Sequence, residues 1–165
     1  MARKPDRTGD VDIDRKARLK IALQSVPKQK PEKRVLNFDE VYLGFDAETA
    51  QIEAARCLQC PDQSGCTIAC PLHNDIPRAM WHISRGEFLE AAEVYRETSN
   101  LPEVCGRVCP QEKLCQGSCV VGKRDYPVFL GKLEYFVTDF ERRTRGIPKP
   151  QLAPSTGKRI AVVGS

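Results

Sequence analysis

The sequence predicts a small all-α domain that runs on into one C-terminal strand. Three observations carry that expectation. Between about residues 46 and 143 the apolar residues recur at helical rather than alternating spacing. All eight cysteines lie between Cys57 and Cys119, in two groups of four. At 165 residues with 7% aromatics, one modest core is expected, and metal–thiolate bonds would supply much of the stability it lacks.

The elements follow in order. Residues 1–34 carry 11 Lys and Arg against 5 Asp and Glu, a net +6, while the remainder nets −2. This basic arm reads as poorly ordered, or as a docking segment for an acidic surface. It holds no aromatic residue on which a base could stack, which argues against a nucleic-acid partner. Asp46 is an N-cap for a helix reaching about Leu58, which delivers Cys57 and Cys60. Asp75 caps a second, with Pro77 tolerated in its first turn and Ile76, Met80 and Ile83 on one face. Gly86 stops it. Glu87 to Thr98 forms a third, burying Phe88, Ala91, Ala92 and Tyr95. Pro127 opens a last helix to about Arg143, with Phe129, Leu133, Phe136, Val137 and Phe140 as its apolar stripe.

Residues 144–158 read as a linker, and Arg159–Ser165 as a buried-strand pattern ending in glycine. One strand has no ladder partner of its own. It is expected to be the first strand of a nucleotide-binding βαβ unit, with Gly164 as the first glycine of its phosphate loop. The division is thus a 1–34 arm, a 35–145 helical domain, and a 146–165 linker and strand.

The chain has no apolar run that would span a bilayer and no signal-peptide core near its start, so a cytoplasmic protein without a membrane partner is expected. Reductants there disfavour disulfides, leaving zinc and iron–sulfur as readings of the cysteines. Their order is Cys57-x2-Cys60-x5-Cys66-x3-Cys70-Pro71, then Cys105-x3-Cys109-Pro110-x4-Cys115-x3-Cys119. In two-cluster ferredoxins the cysteine before proline ligates the other cluster. By that pattern Cys57, Cys60 and Cys66 hold one cluster and Cys70 crosses to a second. A zinc-stabilised interaction module is the alternative, although zinc ribbons usually pair two C-x2-C knuckles and this chain has one.

Three segments carry a family resemblance: Arg56-Cys57-Leu58-Gln59-Cys60, Cys70-Pro71-Leu72-His73-Asn74-Asp75-Ile76-Pro77, and Leu101-Pro102-Glu103-Val104-Cys105-Gly106-Arg107-Val108-Cys109-Pro110-Gln111-Glu112. They resemble the N-terminal iron–sulfur domain of the NAD(P)H-dependent glutamate synthase small subunit. The same domain opens dihydropyrimidine dehydrogenase and the large subunit of NADH-dependent ferredoxin:NADP oxidoreductase. The resemblance implies a helical domain with two [4Fe-4S] clusters, followed in the full-length protein by a module binding FAD and NAD(P)H. It further implies Cys57, Cys60, Cys66 and Cys119 as ligands of cluster one, and Cys70, Cys109 and Cys115 as ligands of cluster two. Gly131-Lys132-Leu133-Glu134 matches the family segment that supplies the last ligand, which makes Glu134 that ligand and leaves Cys105 spare. The Cys60–Cys66 gap departs from the family by being slightly long.

The function implied is electron relay from an NAD(P)H-reduced flavin to a partner catalytic centre, with the glutamate synthase large subunit as partner. The two related flavoenzymes are the alternatives. No general base, nucleophile or triad is evident, so no catalytic residue is assigned and the chain alone is not expected to turn over substrate. His73 reads as a surface or capping residue, Trp81 as core, and Arg56 and Arg107 as either charge compensation for a cluster or ordinary ion-pair partners.

Overall fold

The computed structural model describes residues 13–61, 63–146, 149 and 152–164. Residues 1–12, Asp62, most of the predicted linker's centre and Ser165 lie outside the described residues. The domain is all-α. Its helices are α1 (Arg15–Arg18), α2 (Pro31–Arg34), α3 (Ala47–Ala55), α4 (Gly65–Ala69), α5 (Ile76–Ser84), α6 (Phe88–Arg96), α7 (Pro102–Val108) and α8 (Leu130–Arg145). Two 3-10 turns, Gln111–Lys113 and Val120–Lys123, connect α7 to α8.

Local chemistry sets the boundaries. The Asp46 side chain accepts from Thr49 N at 2.8 Å and opens α3. Asp75 caps α5 on Arg78 N, with Pro77 in its first turn. Gly86, at φ 78°, ends that run in a left-handed turn. The buried faces of α5 and α8 supply Ala79, Met80, Ile83, Leu133 and Val137, each fully inaccessible. Phe88 of α6 meets Phe136 and Phe140 of α8 edge-on, with centroids 4.9 and 5.1 Å away, a favourable aromatic geometry. Trp81, expected in the core, is only half-buried, and Arg85 stacks over its ring at 5.4 Å.

Helix α7 was not foreseen, and its seat on α8 depends on one glycine. A Cβ on Gly106 would fall 2.6 Å from Tyr135 N and 2.8 Å from its Cα. Only a residue without a side chain lets the two backbones approach so closely.

The ends differ from expectation. Residues 13–34, read as part of a poorly ordered arm, form α1 and α2 and hydrogen-bond into the body of the domain. Gln24 N donates to Glu53 Oε2 at 3.0 Å, Gln29 N to Val41 O at 2.8 Å, and Leu43 N to Pro27 O at 2.9 Å. At the other end, residues 159–164 adopt no strand and are exposed. The alternation-free apolar pattern suits a buried strand, but among the described residues nothing offers it a ladder.

Candidate metal centre

The donor side chains gather in two neighbourhoods. Around the first are Cys57, Cys60, Cys66 and Cys119. Burial pushes the Cys57 thiol up to about 12, and the nearby Cys66, Cys119 and Cys60 thiols raise it further. Cys60 and Cys66 are raised as well, chiefly by burial, and each also senses Cys119. Helix α3 ends at Ala55, so Cys57 and Cys60 sit on the loop beyond it. Within that loop Gln59 takes φ 49°, a left-handed value uncommon outside glycine, and its backbone N–H reaches the Cys57 sulfur. Ser64 caps α4 and lies 3.3 Å from Cys66 Sγ.

The second neighbourhood is a cavity of about 140 Å³. Its walls include Cys70, Cys105, Cys109, Cys115 and Glu134, with Tyr95 behind them. Burial pushes Cys115 up to about 12, with Cys70, Glu134 and Cys109 adding to the rise. Cys105 and Cys109 are both raised mainly by burial, Cys105 then by Glu134, and Cys109 then by Cys105 and Glu134. Glu134 itself is 7% exposed, and its Oε1 is buried without a hydrogen-bond partner. Burial, with Glu103 second, pushes its carboxyl up to about 8.

These are groups that resist ionising in a dry site. A bound cationic core would reverse that preference by taking the proton's place on sulfur and oxygen. An orphaned carboxylate oxygen costs free energy unless something coordinates it, so the donor set of the cavity fits a thiolate-bound metal group with one oxygen ligand. Among the described residues no three His, Cys, Asp or Glu side chains converge tightly enough for a single ion. The donors instead ring a space.

Of the two readings open for Arg56 and Arg107, the contacts show ion pairing. Arg56 is 1% exposed. Its guanidinium bonds Glu53 Oε1 at 2.8 Å and Tyr126 O at 2.6 Å. Arg107 pairs with Glu40 and stacks over Tyr135 at 4.0 Å. His73 is exposed. Gly164 stands in the exposed tail at φ 83°. Three residues were missed. Gln111 is buried and donates Nε2 to Cys105 O at 3.0 Å, in space left by Gly131, whose Cβ would overlap the Gln111 side chain at 1.8 Å. Arg15 and Arg18 reach the Cys57–Cys60 loop from outside, a contact that no local pattern announces.

Among the described residues no helix is long and apolar enough to cross a membrane. The chain is 41% identical over 149 residues to the glutamate synthase [NADPH] small chain of Escherichia coli, covering 88% of this chain and 31% of that one. To the corresponding chain of Azospirillum brasilense it is 37% identical over 146 residues, 86% and 30% of the two. To the NAD-dependent dihydropyrimidine dehydrogenase subunit PreT of Escherichia coli it is 41% identical over 127 residues, 77% and 30%. The chain therefore spans between a fifth and a third of the length of these and related oxidoreductases. Residues 34–146 match the family described as dihydropyrimidine dehydrogenase domain II, 4Fe-4S cluster. With that match covering most of the helical domain and every cysteine within it, the chain belongs to this family of iron–sulfur electron-transfer domains.

Proposed function

We propose that this chain carries two [4Fe-4S] clusters and relays single electrons between an NAD(P)H-reduced flavin and a partner catalytic centre, in an enzyme of the glutamate synthase type. Cys57, Cys60, Cys66 and Cys119 hold the first cluster, and Cys70, Cys109, Cys115 and Glu134 the second. The observation that carries the reading is the Glu134 Oε1 atom, buried and unpartnered in a cavity walled by thiols. When bound, such a cluster accepts and donates one electron at a time.

The chain's own residues do the rest. Cys57 and Cys115, the most buried of the thiols, keep water from the sulfurs. Backbone N–H groups of Gln59, Thr67 and Gln116 point at Cys57, Cys66 and Cys115, and hydrogen bonds to sulfur favour the more negative, reduced state. Glu134 offers a harder donor than thiolate to one corner of the second site. Cys105 lines that cavity but falls outside the set, held there by Gln111 and by Ser99 Oγ at 3.9 Å.

The partner and the cofactors of the full-length protein follow the resemblance: a glutamate synthase large subunit, FAD and NAD(P)H. Gly164, with its positive φ, is then the first glycine of the nucleotide-binding turn. Anaerobic iron and sulfide analysis tests the cluster reading, with about eight of each expected per chain from two cubanes. Stoichiometric zinc without sulfide overturns it. The equal identity to the dihydropyrimidine dehydrogenase subunit favours a second reading for the enzyme. Full-length protein mixed with a glutamate synthase large subunit should oxidise NADPH only with 2-oxoglutarate and glutamine. Turnover with pyrimidines instead selects the second reading.

A further inference from the structure

The basic arm has a use inside the molecule. The Cys57–Cys60 loop has two sides. One side turns the Gln59 N–H onto the Cys57 sulfur, which the left-handed φ of Gln59 makes possible. Its carbonyls face the other way, and two arginines of α1 take all three of those between Cys57 and Gln59. Arg18 Nη1 donates to Cys57 O at 2.7 Å. Arg15 Nε donates to Leu58 O at 3.0 Å, and its Nη2 to Gln59 O at 3.3 Å. Asp14 fixes α1 by accepting from Ala17 N at 3.0 Å. Further along, Gln24 N bonds Glu53 and Val26 packs against the core. The segment carrying the two guanidiniums is thus capped at its start and anchored to the domain on its C-terminal side.

We infer that Arg15 and Arg18 are positioning residues for cluster one: they hold the Cys57–Cys60 loop in its bent form and raise the reduction potential of the cluster bound there. The inference rests on the proposed cluster reading. Its physics is direct. Reduction adds one negative charge to a thiolate-ligated core, and two fixed positive charges one peptide away stabilise that added charge. Three carbonyls that would otherwise point their negative ends at solvent or at each other are neutralised by the same groups. No cation makes an equivalent hydrogen bond to the carbonyls of Cys70, Cys109 or Cys115 among the described residues, so the effect is specific to one site.

The test is a dithionite titration of the anaerobic wild-type chain and of two double variants, Arg15→Gln/Arg18→Gln and Arg15→Lys/Arg18→Lys, followed by EPR with iron counted in each sample. In the glutamine pair, one midpoint of the two should move negative. At a fixed potential the reduced fraction of that cluster should fall about tenfold against its oxidised fraction, or about 59 mV for one electron. The other midpoint should stay. The lysine pair should recover most of the shift, which loss of mere packing would not allow. Selective loss of about half the iron in the glutamine pair, restored in the lysine pair, would support the positioning role equally. Full iron content with both midpoints unmoved, or both moved alike, would overturn the inference while leaving the cluster reading intact. A wild-type chain without iron and sulfide would overturn both.

Discussion

Glu53 is the carboxylate on which three parts of the chain converge, and its removal should be the most damaging single change outside the cysteines. It is fully buried. It accepts from Arg56 Nη1 at 2.8 Å, from Gln24 N at 3.0 Å and from Phe129 N at 2.9 Å. Those donors belong to the turn that leads into Cys57, to the N-terminal segment, and to the entry of α8. Glu53→Ala takes from the Arg56 guanidinium, 1% exposed, its buried carboxylate and leaves it only the exposed Asp125 at 3.6 Å. Breaking a buried pair from one side costs about 3–5 kcal/mol. Each stranded backbone N–H adds about 1–3 kcal/mol unless water reaches it. Taking the pair alone, a chain of this size should lose about 6–20 °C in Tm. Thermal melts of the cluster-loaded protein under anaerobic conditions would read this. Arg56→Met supplies the second arm of a double-mutant cycle. The double variant should be less destabilised than the two singles added together, by at least about 1 kcal/mol, because it strands no charge. A Glu53→Ala melt within about 2 °C of wild type, or strict additivity in the cycle, would show that the pair does not hold these three segments.

Four other outcomes are expected. Glu134→Ala should leave the second cluster labile or convert it to a three-iron form, seen by iron counting and EPR of oxidised and reduced samples; unchanged iron and spectra would make Glu134 a buried carboxyl without a ligand role. Cys105→Ser should keep the full iron complement whereas Cys109→Ser should lose or convert one cluster, and equal loss in both would move Cys105 into the ligand set. Gly106→Ala should destabilise by about 1–3 kcal/mol or more through the clash with the Tyr135 backbone, read as a lower urea midpoint with secondary structure retained. Hydrogen bonds from Thr49 hold the Asp46 carboxyl below its usual range, so its contribution is present above the unfolded carboxylate pKa and lost as pH falls through the folded one. Asp46→Ala should therefore cost about 1 kcal/mol at neutral pH and less in acid, as denaturation at pH 7 and pH 3 would show.

Helices that bury a stripe were readable from the sequence, as α5, α6 and α8 illustrate, and α3 and α5 also open on a capping side chain. Their signals are local: Asp46 and Asp75 at the entrances, Gly86 at an exit, and apolar residues every three or four positions. Glu134 was readable as a candidate only through its match to the family segment Gly131–Glu134, with its place on the edge of the Leu130–Val137 face compatible with that match. Helix α7 was not, because Pro102 and Gly106 weaken a seven-residue pattern whose helix forms only by lying against α8. The ordering of residues 13–34 was hidden for a different reason. Arginines read as a solvated charge run until their carbonyl partners are known, and those partners lie about 40 residues away. Arg56 shows the converse. Its position beside a cysteine left a role at the sulfurs or an ordinary ion pair open; the ion pair with Glu53 is local, while its carbonyl partners, Tyr126 O and Pro127 O, lie some 70 residues on. The 159–164 segment has a strand's composition without a strand's neighbours, and composition alone cannot supply a ladder.

The order of the donors along the chain matters as much as their identity. Cys66 and Cys70 are joined by the single turn of α4 yet face different neighbourhoods. Cys115 and Cys119, also four residues apart, separate in the same way. Each neighbourhood therefore draws on both cysteine-rich segments, and neither can assemble while the segments are apart. Cys115 is seated beside Cys70 only when the 109–119 region has folded back over α4, and that same folding brings Cys119 to Cys57. Gly65 marks how closely the two segments meet, since a Cβ there would lie 2.8 Å from Ser118 O. Tyr95, 1% exposed, sits at the junction and senses Glu134, Cys115 and Cys70 on one side and Cys66 on the other. The two donor groups are thus laced by short turns around one buried ring. Because both groups draw on the same two segments, metal binding there would be coupled to folding.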